Sequence, residues 1–177
     1  MGSNKDKVKT NVAGVKRSTT PALPVVRAAM SDVEPWLKLA RQVEHLFGPM
    51  VGHGFDRAVL ANISRDSAFC VRDSHNPGIL AGAILFDYRD APNYEISWLA
   101  VDSDHRKRGI GRNLVYYALA RTVTPSVIKV VTFGPDHPGR ADARNFYESF
   151  GFLPGAQREP GPEGGSRQEF FLERKCA

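Results

Sequence analysis

Only two cysteines, Cys70 and Cys176, occur in 177 residues, and no metal-ligand spacing surrounds either one. A disulfide framework is excluded, and the expectation is reduced thiols in a cytoplasmic protein with no metal ion. No stretch approaches the roughly eighteen uninterrupted apolar residues of a membrane span, so a membrane partner is not expected. The lysines near the N-terminus are not followed by an apolar run, which argues against a secretory signal. Internal repeats and heptads are absent as well. What remains is an ordinary globular composition, 42% hydrophobic and 10% aromatic, in one domain's length of chain. A domain of that size can bury a sufficient core unaided.

Excess positive charge is also missing from most of the chain, despite a net +5 and a pI near 9.4. Lys5, Lys7, Lys9, Lys16 and Arg17 face Asp6 alone, so residues 1–20 carry +4 and everything beyond carries about +1. Residues 1–22 therefore read as a disordered basic tail and residues 23–177 as a single domain. Charge confined to a tail is a poor argument for a nucleic-acid partner, and none is expected.

Hydrophobic periodicity orders the domain. Leu23–Ala28 reads as a first strand. Ser31 reads as an N-cap, with Glu34 completing a capping box and Pro35 in the first turn. Trp36, Leu39, Ala40, Val43, Leu46 and Phe47 then give a helix with one apolar face, ended at Gly48-Pro49. Phe55, Val59, Leu60 and Ile63 indicate a second short helix. Ala68–Arg72 and Ile79–Phe86 form a hairpin across the turn-rich residues 73–78. Tyr94–Val101 is the next strand, followed by a helix over Gly111–Arg121, a strand over Val127–Phe133 and a helix over Ala141–Phe150. Phe152–Arg158 and Gln168–Glu173 make a last hairpin. Mixed order of this kind implies an α/β (α+β) fold with a mixed central sheet flanked by helices on both faces.

Chemistry concentrates where the strand ending at Val101 runs into Arg106-Lys107-Arg108-Gly109-Ile110-Gly111-Arg112 and straight on into a helix. Glycines let a backbone approach a pyrophosphate, and the unpaired N–H groups and macrodipole of a helix start favour an anion. The dinucleotide fingerprint needs a third glycine where Leu114 stands, and the P-loop needs Gly-Lys-Ser/Thr, which is absent. Arg106-x-x-Gly109-x-Gly111 after Leu99-Ala100-Val101 instead resembles the pyrophosphate motif of the GNAT superfamily of N-acetyltransferases. A second block, Ala143 to Tyr147 and then Gly151-Phe152, is similar to that superfamily's C-terminal motif. One departure is Arg140, seven residues before Tyr147, where members often carry Asn.

The resemblance implies an acyl-CoA N-acyltransferase fold and acetyl-CoA as cosubstrate. It implies that the backbone of Leu99, Ala100 and Val101 pairs with the pantetheine arm. Residues Arg106, Lys107, Arg108, Gly109, Ile110, Gly111 and Arg112 would hold the pyrophosphate, with Arg140 as a further cofactor contact. Tyr147 corresponds to the tyrosine that protonates, or hydrogen-bonds, the departing sulfur. Glu95, eleven residues before Arg106, matches the general base of some protein-lysine acetyltransferases, and strict alternation sets it on one face with Ser97, Leu99 and Val101. His105 reads as a solvated neighbour of the phosphate loop, His137 as a loop residue, and Cys70 as strand packing. His53, Asp56 and Asp90 are acceptor-side candidates by loop position only, in a region shaped by residues 48–56, 87–93 and 154–167. The expected reaction is acetylation of a primary amine, of a small molecule such as an aminoglycoside-like, polyamine or amino-acid-like amine, by direct attack in a ternary complex. A protein lysine or N-terminal acceptor is the alternative, and a non-catalytic acyl-CoA-binding module is the alternative of another class. A homodimer follows from family habit alone.

Overall fold

Residues 23–52 and 54–176 are described by the computed structural model, so the basic tail and His53 lie outside the described residues. β1 is only Val26–Arg27, because the run from Leu23 pairs with its neighbour at two positions alone. α1 (Val33–Phe47) buries Trp36, Leu39, Ala40 and Val43, the stripe its periodicity demands. Ser31 does not cap it. Ser31 lies inside a 3-10 turn, Met30–Asp32, and Asp32 occupies the N-cap position. The side chain of Asp32 instead accepts from Ala29 N–H at 2.7 Å and from the Arg72 guanidinium at 2.6 and 2.8 Å. Burial pushes that carboxyl upward, but the Arg72 and Ala29 bonds outweigh it and hold it below the usual range.

After α2 (Phe55–Ser64), β2 (Ala68–Arg72), β3 (Leu80–Asp90) and β4 (Asn93–Val101) form an antiparallel meander. β3 runs to Asp90, which pairs with Asn93, so the loop expected over 87–93 contracts to Ala91 and Pro92. α3 (Ile110–Leu119), β5 (Ser126–Phe133), α4 (Arg140–Glu148), β6 (Leu153–Arg158) and β7 (Arg167–Arg174) complete the chain. The seven strands lie in the order β1-β2-β3-β4-β5-β7-β6, and only the β4–β5 pair is parallel.

Each face of this sheet has its own core. On one, Phe69, Ile84, Phe86, Ile96, Ile128 and Val130 meet Ile110, Leu114 and Val115 of α3, with Tyr147, Phe152 and Phe170. On the other, Cys70, Leu85 and Trp98 meet Trp36, Leu39 and Val43 of α1 and Val59 and Ile63 of α2. Each fully buried Leu, Ile or Phe stabilises the fold by about 1.5–3 kcal/mol. Cys70 is packed within the second core, and burial pushes its thiol up to about 12. α3 approaches β3 closely because position 82 is glycine: a Cβ there would stand 2.7 Å from the Ile110 side chain.

β4 departs from strict alternation. Leu85 pairs with Trp98 but Phe86 pairs with Ile96, leaving Ser97 as an extra residue. The two faces therefore exchange at Ser97. Tyr94 and Ile96 pack with α3's core, as do Leu99 and Val101, while Trp98 and Ala100 pack with α1's. Glu95, paired with Asp87, lies on the α1 face, opposite Leu99 and Val101 and not beside them.

Candidate active site

β4 and β5 stay paired only from Asn93↔Val127 to Ile96↔Val130. Beyond Ile96 they part. β5 follows β7 through all eight residue pairs from Ser126 to Phe133, whereas β4 follows β3. The β5-facing edge of residues 97–101 is left without a strand partner among the described residues. The fork opens a cleft of about 690 Å³ that includes Leu99, Ala100 and Val101 along one side and Val130 to Phe133 along the other. A strand edge of this kind presents N–H and C=O groups that need partners.

The cleft runs to the start of α3. Asp102 closes β4, its N–H donating to Ala81 O at 3.1 Å, and the chain turns through Ser103–His105. Lys107 and Gly109 then take left-handed backbone, at φ 59° and 79°. For Gly109 this is unstrained, since it lacks a Cβ; for Lys107 it carries a modest cost, which recurs at anion-binding turns. The first helical bond returning to the loop runs from Asn113 N–H to Gly109 O at 2.9 Å, so the N–H groups of Ile110, Gly111 and Arg112 lack helical partners. Arg106, Lys107, Gly109, Ile110, Gly111 and Arg112 all line the cleft. Arg112 is further held by Ser149 Oγ at 3.2 Å and lies over the Phe150 ring at 5.1 Å.

Tyr147 of α4 also lines the cleft. Its ring is wedged among Phe146, Phe152 and Phe170 at 5.2, 5.6 and 6.5 Å, and its hydroxyl bonds to no described residue. Burial pushes its phenol well above the ordinary value, so it stays protonated and able to donate. Three expected residues stand outside the lining. Arg108 is exposed and does not line the cleft. Arg140 turns back to donate to Pro135 O at 2.8 Å. Glu95 is exposed and lines a separate polar hollow with Asp87, Arg89 and Lys129. Asp90 is in that hollow too.

No local pattern marks the support behind the turn at residues 106–112. His105 is not solvated: it is 9% exposed, with Nδ1 2.7 Å from Asp102 Oδ1 and Nε2 2.6 Å from Asp73 Oδ2. Two carboxylates make both ring nitrogens donors. Its pKa is raised, by the Asp102 bond foremost and by Asp73, against the opposite pull of burial. Asp102 also accepts from Gln42 of α1 at 2.8 Å. Burial pushes the Asp102 carboxyl up, but His105, Gln42 and the Asp104 N–H win and hold it low. The turn after β2, the end of β4 and α1 are thus tied together at the root of the loop. His137 is buried as well, with Nε2 3.0 Å from Leu46 O and Nδ1 accepting from Gly139 N–H.

Phe47, Trp98, Phe133 and Arg167 line the same cleft. Phe47 and Phe133 are 4.7 Å apart by ring centroids, and the Arg167 guanidinium lies 5.3 Å from the Phe133 ring. These residues come from α1, β4, β5 and β7, so no local sequence pattern marks them as one wall. Among the described residues, no helix is long and apolar enough to cross a membrane, and no three His, Cys, Asp or Glu side chains are grouped to hold a metal ion.

A mixed sheet that forks beside a helix start, with helices on both faces, is the acyl-CoA N-acyltransferase fold. Residues 34–152 match the acetyltransferase (GNAT) family, more than half of the sequence, and the chain belongs to that family. Similar solved structures include a GNAT-family acetyltransferase from Bacillus cereus ATCC 10987, 16% identical with a TM-score of 0.65 over 86% of this chain and 98% of that one. The NatC complex bound to Gag peptide and CoA contains a chain 20% identical, with a TM-score of 0.66 over 85% and 97%. The ribosomal-protein-S18-alanine N-acetyltransferase from Escherichia coli is 18% identical, with a TM-score of 0.63 over 87% and 95%. Identities this low speak for the fold. No match was found among curated protein sequences.

Proposed function

We propose that this chain moves an acetyl group from acetyl-CoA to a primary amine by direct attack in a ternary complex. The observation that carries the reading is the fork: an unpartnered edge at residues 97–101 leads into the unpaired N–H groups of Ile110, Gly111 and Arg112. An extended amide-bearing arm ending in a diphosphate matches both halves, and acetyl-CoA, the cosubstrate of the family, has that shape. Leu99, Ala100 and Val101 lie along the arm. Arg106, Lys107 and Arg112, with the backbone of Gly109, Ile110 and Gly111, hold the diphosphate, and Arg108 adds to the field from outside the cleft.

An alkyl amine with a pKa of about 10 arrives protonated. Glu95 stands on the α1 face, one residue before Ile96, where the strands part. It takes the ammonium proton through water and releases it to solvent. The amine nitrogen bonds to the thioester carbonyl carbon and the C–S bond breaks. Tyr147 donates its proton to the departing sulfur and regains one from the nitrogen, so a second ammonium proton replaces the acetyl group on sulfur.

The test is calorimetry of the full chain with CoA and acetyl-CoA, paired with thiol release in the presence of amines. Uptake with 1:1 stoichiometry and amine-dependent release are expected, and Arg106→Glu with Arg112→Glu should weaken uptake at least tenfold. No uptake by the unaltered chain would remove the reading. Uptake without release for any amine would favour a binding module.

A further inference from the structure

We infer that the acceptor is a primary amine carried on an apolar substituent, and that polycations are disfavoured. The inference rests on the acetyl-transfer reading of the same cleft and concerns its aromatic wall. Phe47, Trp98, Val131 and Phe133 present carbon there, and Phe55 backs Trp98 at 5.3 Å between ring centroids. The charged side chain on that wall is Arg167, 9% exposed, paired with Glu163 at 2.6 Å and lying 5.3 and 5.9 Å from the Phe133 and Phe47 rings.

Negative charge here is scarce or already answered. Among the described residues lining the cleft, the one carboxylate is Asp142, in the first turn of α4. Glu163 is bound to Arg167 at 2.6 Å, with His137 a further 3.8 Å away, and Glu169 is bound by Arg158. Glu95 shares its hollow with Arg89 and Lys129. A polyamine or an aminoglycoside brings several ammonium groups, each needing a carboxylate in a partly desolvated site. Here a second ammonium would find the nearby carboxylate of Glu163 already bound by a guanidinium. An apolar group next to a single reacting amine meets three aromatic rings, and each well-placed carbon in such a pocket is worth roughly tenfold in kcat/KM. The aminoglycoside-like and polyamine acceptors expected from the sequence do not suit this wall.

Two sources offer the same chemistry: a free arylalkylamine, and a peptide with a large apolar amino-terminal residue. The experiment compares kcat/KM of the full chain, at saturating acetyl-CoA, for phenethylamine, a tripeptide amide beginning with Leu or Phe, the same tripeptide beginning with Asp, spermidine and kanamycin. The apolar amines are expected to exceed spermidine and kanamycin at least tenfold, and the ranking of free amine against peptide identifies the source. Phe47→Ala should raise KM for the better apolar acceptor about tenfold, with kcat and the CoA Kd unchanged. Preference for spermidine or kanamycin, or no change of KM in Phe47→Ala, overturns the inference while leaving acetyl transfer intact. Absence of CoA uptake overturns both, so the two failures are distinguishable.

Discussion

Glu95 and Leu99, four residues apart on β4, point to opposite faces of the sheet because Ser97 is an extra residue between them. The strand thereby serves two partners. Leu99 and Val101 belong to the α3 side, whereas Glu95 belongs to the α1 side, where the proposed acceptor wall stands. Without the extra residue, Glu95 would share Leu99's face. On the proposed mechanism, Glu95→Gln should lower kcat by about 10²–10³ near neutral pH with the CoA Kd unchanged. Raising the pH should recover part of the loss, since more of the amine is then already neutral. Equal rates for the variant and the parent at every pH would remove Glu95 from the reaction.

Tyr147→Phe separates chemistry from packing. The ring contacts with Phe146, Phe152 and Phe170 survive the change, and the hydroxyl has no partner to lose among the described residues. Denaturant stability should shift by less than about 1 kcal/mol, while single-turnover acetyl transfer slows at least tenfold. A variant that turned over at the parent rate would show that the hydroxyl does not serve the sulfur.

His105 gives the fold a pH dependence whose sign follows from its partners. Its pKa is raised in the folded chain, so its contribution is complete below the unfolded value of about 6.5 and fades as pH climbs through the folded value. Asp102 and Asp73 are lowered, Asp73 chiefly by His105, and their contribution fades in acid, below the usual carboxylate value of about 3.9. Asp104 and Arg106 flank the ring in sequence, and Gln42 faces it from α1 through Asp102. Comparing Tm of the parent and His105→Gln from pH 6 to pH 10 should show the parent's lead shrinking steadily. A lead that stayed constant would mean that the imidazolium charge contributes nothing.

Gly82→Val tests the close approach of α3 to β3. The added Cβ would lie 2.7 Å from Ile110 and 3.2 Å from Leu114. Because Ile110 opens the turn proposed to hold the diphosphate, displacing it should weaken CoA binding as well as cost about 1–3 kcal/mol in urea denaturation. A stable variant with unaltered CoA affinity would show that the helix can retreat without disturbing its first turn.

How much of this was legible follows from where each signal is stored. The family signature is legible at residues 106–112 because the glycines and cations there are contiguous, and at Tyr147 because Gly151-Phe152 follows at fixed spacing. Most strands were readable from alternation, since each buries one side chain in two. Alternation cannot report an inserted residue, so the face of Glu95 was misread. Ser31 looked like a cap because a hydroxyl before Glu34 fits the local rule, but Asp32 takes the N-cap position, and the Arg72 that holds its side chain is forty positions away. His105 reads as a surface residue from its neighbours in sequence because its second carboxylate, Asp73, is thirty-two positions upstream. The proposed acceptor wall joins Phe47 to Phe133 and Arg167, and nothing local in a sequence records such a meeting.

The two halves of the sheet share only a short parallel seam, Asn93–Ile96 against Val127–Val130. A molecule seated along the open edge beyond that seam would act as a missing rung between them. The donor would then be a structural member as well as a reagent, adding about 2.7 kcal/mol of folding stability at a concentration one hundred times its Kd. On the proposed reaction each turnover would end by removing that rung, and departure of the spent thiol would withdraw the stability it lent.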